Sequence, residues 1–271
     1  YIASIDDSPA RLSDIEVTEV GDWSPDGESV VFSSTDGDRT GIHVRNPDGV
    51  NQRQMTCAKD YHATWSPDSK KLAFISERDG NADIYVMDRD AMDDLCPDKN
   101  DSRLEAYQLT ETDEKESDIS WSPDGNWFAV SISRRVVIYN VQYQEVWRSE
   151  DHPSTVSAIA WSGNKELATA CYGRVTFFGS SSGEVHQELE WKGSLVSMVL
   201  SPNGDVVACG SQDNSVHFWR RSTGQDSMMQ GYPTKPSNLA FDHSGTLLAT
   251  GGSDIVLVWS FEGDGPEGTY P

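Results

Sequence analysis

Basic residues are scarce in this chain. Lys and Arg number 21 against 44 Asp and Glu, a formal net charge of −23. Nucleic acid is therefore not an expected partner, because a phosphate backbone calls for a cationic face. Long apolar runs are missing too: no stretch approaches the roughly 18 apolar residues that a spanning helix needs, so no membrane span is expected. Cysteine is sparse. Cys57, Cys96, Cys171 and Cys209 form no CxxC pair, which disfavours a zinc knuckle. Nucleophile elbow, Walker loop and HExxH motif are all absent, so the chain is read as non-catalytic, with no cofactor and no metal. No segment shows helical periodicity. The first residue is Tyr1 and no apolar leader follows, so any targeting signal is out of view.

What is present is a repeat. Hydrophobic residues make up 36%, with nine Trp, nine Tyr and eight Phe, enough for a folded soluble core. Trp23-Ser-Pro-Asp-Gly27, Trp65-Ser-Pro-Asp-Ser69 and Trp121-Ser-Pro-Asp-Gly125 share one pattern. Weaker copies follow at Trp161-Ser-Gly-Asn-Lys165, Leu200-Ser-Pro-Asn-Gly204 and Phe241-Asp-His-Ser-Gly245, with spacings of 42, 56, 40, 39 and 41 residues. Ser-Pro-Asp-Gly puts Pro and Gly where a type I turn wants them. A β-prone run follows each copy, as in Leu72-Ala-Phe-Ile75 and Val206-Val-Ala-Cys209. A second run comes later, as in Ile84-Tyr-Val-Met87 and Val216-His-Phe-Trp219, and then a weaker outer strand. Four short strands per repeat describe a blade of an all-β propeller. Six four-stranded antiparallel blades in one domain, 1–271, are expected. They would close when the outer strands near Tyr1–Ser13 complete the last blade. A truncated piece of a seven- or more-bladed propeller is the alternative. The 56-residue spacing marks an acidic insertion at 88–103, read as a solvated loop, with a calcium site as the sharper alternative.

Two resemblances divide the chain. Residues of about 1–116 resemble TolB-type propeller repeats through Trp65-Ser-Pro-Asp-Ser69, Lys71-Leu-Ala-Phe-Ile-Ser76 and Asp83-Ile-Tyr-Val-Met-Asp88. Residues of about 117–271 resemble WD repeats, through Asp151-His152, Asp213 and Ser215-Val-His-Phe-Trp219. The WD resemblance implies a buried set of His, Ser or Thr, Asp and Trp that ties each blade together. Blade four has His152 and Thr169 but Phe178 in place of Trp; blade five has Trp191 where His is expected; blade six has Thr250, Asp254 and Trp259. The style changes between about Glu111 and Arg135. Charge divides there as well: residues 1–116 hold 27 acids and 12 bases, residues 117–271 hold 17 and 9.

Propellers work through loops on their faces. Loops that join second to third strands, and one blade to the next, share one face. Tyr61, Arg134, Arg135, Arg174, Trp191, Lys192, Asp213 and Tyr232 are placed there as a candidate binding face, aromatics and Arg being the composition of interface hot spots. His62 and Asp118 each stand three residues before a repeat Trp, on innermost strands. They are candidates for a channel pair, with a polar, water-lined channel as the simpler reading. Strand-end geometry argues against a Cys57–Cys96 disulfide, and Cys171 and Cys209 read as small buried hydrophobes. The leading expectation is a scaffold that binds a protein or peptide. An accessory propeller of a peptidase or cell-envelope complex, and a lactonase- or lyase-like enzyme using the channel, are the alternatives. A soluble location is expected, either cytoplasmic or periplasmic and extracellular.

Overall fold

The computed structural model describes residues 15–49, 51–89, 106–252 and 256–261. Two compact units divide the chain, Tyr1–Asn126 and Trp127–Pro271. The first holds β1 (Glu19–Trp23), β2 (Val30–Ser34), β3 (Gly41–Arg45), β4 (Arg53–Gln54), β5 (Asp60–Trp65), β6 (Lys71–Ser76), β7 (Asp83–Asp88), β8 (Tyr107–Gln108) and β9 (Glu116–Trp121). The second holds β10 (Trp127–Ile132), β11 (Arg135–Asn140), β12 (Glu145–Arg148), β13 (Ala158–Ser162), β14 (Glu166–Gly179), β15 (Val185–Leu200), β16 (Val206–Ser211), β17 (Val216–Arg220), β18 (Gln225–Met229), β19 (Asn238–Phe241), β20 (Leu247–Gly251) and β21 (Val256–Ser260). The one described helix is a single 3-10 turn, Gly37–Arg39, and no described helix is long and apolar enough to cross a membrane.

The repeated motif builds the same turn each time. Gly27, Ser69, Gly125 and Gly204 donate their N–H to the carbonyls of Ser24, Ser66, Ser122 and Ser201 at 2.7–2.8 Å. All four sit in the left-handed region, at φ 73, 59, 70 and 72°. The turn needs that conformation at its fourth residue, which favours Gly, and Ser69 is the exception among the four. The motif Ser closes the turn from inside: Ser66 Oγ donates to Asp68 and accepts the Lys71 N–H at 2.9 Å. Ser201 does the same with Asn203 and Val206.

The strands pair antiparallel in the orders β1-β2-β3-β4 and β5-β6-β7-β8 within the first unit, and β10-β11-β12, β13-β14-β15-β16-β17-β18 and β19-β20-β21 within the second. The architecture is an all-β propeller of antiparallel sheets, but the sheets number five among the described residues, of three to six strands, not six of four. The cause lies in β15. Its first part pairs with β14 (Leu189 with Val175) and its last part with β16 (Val199 with Ala208), so repeats four and five share one strand. The link that elsewhere leaves the sheet is here only Trp191-Lys192-Gly193. It contains no Pro, and Trp191 is stacked on His217 of β17 with ring centroids 3.7 Å apart. The last sheet has three described strands. The strands expected near Tyr1–Ser13, the loop 90–103, Cys96 and Asp254 lie outside the described residues.

The inner strands β2, β3, β6 and β16 are buried on both faces. In the first unit Val31, Ile42 and Val44 pack on Trp65, Phe74 and Tyr85. In the second, Ala129, Val136 and Ile138 pack on Trp161 and Leu167. Val206, Ala208 and Phe218 pack on Leu248 and Trp259.

Candidate functional site

The second unit carries a cavity of about 480 Å³ lined by β12, the Ser149–Pro153 segment, β14 and the start of β15. Its floor is aromatic. Trp147 and Phe178 have ring centroids 5.5 Å apart, tilted 45°. His152 meets the edge of Phe178 at 5.6 Å. Trp147 lies across the backbone of Gly183, whose φ of 67° and missing Cβ leave room for the indole. Val185, 50% exposed, stands at the mouth.

The segment that forms one wall is fixed by two arginines. Arg134 Nε donates to the His152 carbonyl at 2.8 Å. The His152 backbone N–H returns to the Arg134 carbonyl at 2.7 Å. Arg135 Nε donates to Asp151 Oδ1 at 2.6 Å. That bond holds the Asp151 carboxyl below its usual range. The His152 ring is engaged on both sides: Nδ1 lies 3.0 Å from the Arg134 carbonyl and Nε2 3.0 Å from Thr169 Oγ1. A carbonyl can only accept, so Nδ1 carries the proton and Nε2 accepts from the threonine. Burial pushes this imidazole below its ordinary pKa, which agrees with a neutral ring. On the facing wall Arg174 Nη1 donates to Glu188 Oε1 at 2.6 Å. With its histidine spent on structure, the cavity offers shaped apolar surface and charged rims: the means of binding a segment of another molecule.

The sequence-chosen residues fall into three groups. Arg174 lines the cavity, and Arg134 and Arg135 hold its wall. Lys192 is exposed on β15, Trp191 is half-buried under its stack with His217, and Asp213 accepts the Ser215 hydroxyl at 2.6 Å in the turn before β17. Tyr232 does not belong on a binding surface. It is 8% exposed, and its hydroxyl lies 2.7 Å from Thr250 Oγ1 and accepts the Trp259 indole N–H at 3.0 Å. A Tyr here takes the place where the WD resemblance implies His. Tyr61 belongs to the first unit, where its hydroxyl donates to Glu77 at 3.4 Å and burial raises its pKa.

The channel candidates His62 and Asp118 stand on β5 and β9. His62 Nδ1 lies 2.7 Å from Glu19 Oε1, and its backbone N–H donates to Glu19 Oε2 at 3.0 Å. Glu19 pairs with His62, and the charge of Asp118 also raises the His62 pKa. The pairing comes from a bulge. Register shifts between Tyr61 and Thr64, and His62 adopts φ 54°, which turns its ring toward β1. Among the described residues no group of three His, Cys, Asp or Glu could hold a metal ion. Cys57 is disulfide-bonded, which overturns the strand-end argument against its pairing, while Cys171 and Cys209 are buried free thiols as expected.

Trp147, Phe178, Val185 and Glu188 were missed as site residues. Trp147 sits in a short outer strand of weak pattern, Glu145-Val-Trp-Arg148. The available signal was Phe178 in the place of Trp, with Gly183 following.

Comparison with known proteins agrees with this architecture. Residues 183–220 match the family described as WD domain, G-beta repeat. The chain is 35% identical over 68 residues to a Protein TolB homolog of Chlorobium luteolum, 24% of this chain and 15% of that protein. It is 27% identical over 142 residues to the uncharacterized peptidase YuxL of Bacillus subtilis, 52% of this chain and 20% of that one. It is 37% identical over 70 residues to the Periodic tryptophan protein 2 homolog of Neurospora crassa, 25% of this chain and 8% of that one. The chain thus spans no more than a fifth of the length of these relatives. A chain in the crystal structure of a mitotic checkpoint complex superposes with a TM-score of 0.62 at 20% identity, over 73% of this chain and 59% of that one. The chain is a β-propeller repeat protein with both WD-repeat and TolB-like similarity.

Proposed function

We propose that this chain is a non-catalytic scaffold that holds another protein or peptide in the cavity between Trp147, His152, Phe178 and Glu188. One observation carries the reading. An aromatic floor of about 480 Å³ is rimmed by ion pairs, with a neutral His152 that is fully engaged in holding the wall. Such an arrangement supplies contact area and orientation, with its histidine and its two lining arginines already engaged. The likeness to WD-repeat proteins supports the same reading. We read the repeats as of hybrid origin, TolB-like before about residue 116 and WD-like after it.

The test is capture of partners from the source cell by the intact chain and by the Val185→Asp and Arg174→Glu variants. Both residues lie at the surface, so the melting temperature should hold while a partner is lost. A partner set unchanged by both variants refutes the cavity as the docking site.

A second reading, an accessory propeller of a peptidase or cell-envelope complex, has its own support. Cys57 is disulfide-bonded, and disulfides persist in oxidising compartments. The TolB homolog and peptidase similarities point the same way. Fractionation of the source organism separates the two: a cytosolic pool with Cys57 reduced removes the second reading.

A further inference from the structure

The cavity of the second unit has a chemistry that narrows the partner, on the premise that it is the docking site. Its floor, Trp147 and Phe178, presents two half-buried aromatic rings tilted 45° to each other. Aromatic faces are electron-rich and attract a cation placed over them. The rim adds carboxylates: Glu150, Asp151 and Glu188 line the cavity, against Arg148 and Arg174. Those guanidinium groups are already compensated, Arg148 by Glu145 at 2.6 Å and Arg174 by Glu188 at 2.6 Å. Asp151 is matched by Arg135. Glu150 is exposed and has no ion-pair partner among the described residues. Among the residues that line the cavity, three carboxylates stand against two guanidinium groups, so the lining is net negative. The chain around it carries a net charge of −23, which steers cations in and repels acidic segments.

We propose that the cavity accepts a basic, extended peptide segment, with one lysine side chain laid over Trp147 and Phe178 and a flanking apolar residue against Val185. The lysine stem covers the rings while its ammonium reaches Glu150 and the outer oxygen of Glu188. Long cationic side chains divide in this way between apolar and polar surface. An acidic segment would meet Glu150, Asp151 and Glu188 in the lining.

The experiment uses three labelled peptides of equal length, alternating leucine with lysine, glutamate or glutamine, titrated into the intact chain and followed by fluorescence anisotropy. The lysine peptide should bind saturably and the glutamate peptide should not. In a Glu150→Gln/Glu188→Gln variant the lysine peptide should bind roughly tenfold more weakly, the size of one lost charged contact. Phe178→Leu should weaken it as well, and the Gln pair keeps the proposal testable should that variant fail to fold. Asp113→Asn, which removes an exposed charge from the first unit, is the control and should change nothing. Equal weakening by Asp113→Asn would reveal binding to net charge alone and overturn the proposal. Preference for the glutamate peptide, or absence of binding by the lysine peptide, overturns the basic partner. The scaffold reading itself fails only if the captured partners ignore Val185→Asp and Arg174→Glu.

Discussion

The indole N–H of Trp259 reaches both the Tyr232 hydroxyl and Thr250 Oγ1, each at 3.0 Å, and the two oxygens lie 2.7 Å apart. The second unit closes its last repeat with this triangle. It satisfies the one polar atom of Trp259, which is 7% exposed. Tyr232→Phe removes one corner and leaves Trp259 its bond to Thr250. The variant should lose about 1 kcal/mol of stability. Denaturant unfolding of the second unit's fluorescence would measure it, and peptide binding at the cavity should not change. An unaltered midpoint would show that the hydroxyl contributes nothing net.

Gly183 is the backbone on which the cavity floor rests. Its φ of 67° lies in the left-handed region, where any other residue pays about 1–2 kcal/mol. A Cβ there would also run into the Trp147 indole. Gly183→Ala should therefore lower the melting temperature and shift tryptophan emission, and it should weaken partner binding by more than the surface change Val185→Asp does. Binding equal to wild type would show that the floor does not need Trp147 in this position.

The turns were legible in the sequence and the shared strand was not. Ser-Pro-Asp-Gly specifies its turn through side chains and a glycine two to three residues away, as Ser66, Asp68 and Ser201 show, so a local pattern reports it. β15 stays extended through Trp191-Lys192-Gly193 because an aromatic stack holds Trp191 to His217, 26 residues further along. No local pattern records that contact. The cavity is hidden for the same reason: it gathers Trp147, Phe178 and Glu188 from three strands and His152 from the segment after β12. Arginine beside a hairpin is an interface signal, and Arg174 lines the cavity; the same signal cannot tell an exposed ring from one bonded inward, as Tyr232 is. His62 and Glu19 meet across two sheets through a bulge that residue types alone do not announce.

Cys171 and Cys209 are both buried, and burial raises both thiols above their ordinary pKa. The thiolate is the reactive form, so each should resist alkylation doubly, by access and by protonation. Iodoacetamide added to the folded protein should label neither; added in urea it should label both. Cys57 should take label only after a reductant, being disulfide-bonded. Mass spectrometry of the digested chain reads all three. Labelling of Cys209 in the folded protein would show that its strand opens far more often than a wholly buried position allows.

The pair Glu19–His62 joins β1 to β5 inside the first unit, and its charge sets a pH window. The bond to Glu19 raises the His62 pKa, outweighing burial, with help from the charges of Glu19 and Asp118. Burial pushes Glu19 upward, but the bonds and charge of His62 outweigh it and leave the carboxyl lowered. A raised histidine stabilises the fold below its unfolded pKa, and that contribution fades as pH rises through its folded value. A lowered carboxylate stabilises above its unfolded pKa, and that contribution fades as pH falls through its folded value. The pair is therefore strongest between the ordinary values of 4.5 and 6.5 and weakens on either side. Both side chains are partly exposed, at 45% and 33%, so solvent and salt will blunt the effect. Proton NMR of the His62 ring should give a titration midpoint above 6.5 that drops in Glu19→Gln, since the neutral amide no longer favours the imidazolium. The first unit's stability should decline from pH 6 toward pH 9 in the wild type and stay flatter in His62→Gln. An unshifted midpoint in Glu19→Gln would mean that the carboxylate does not hold the ring, and the bulge at φ 54° would then need another cause.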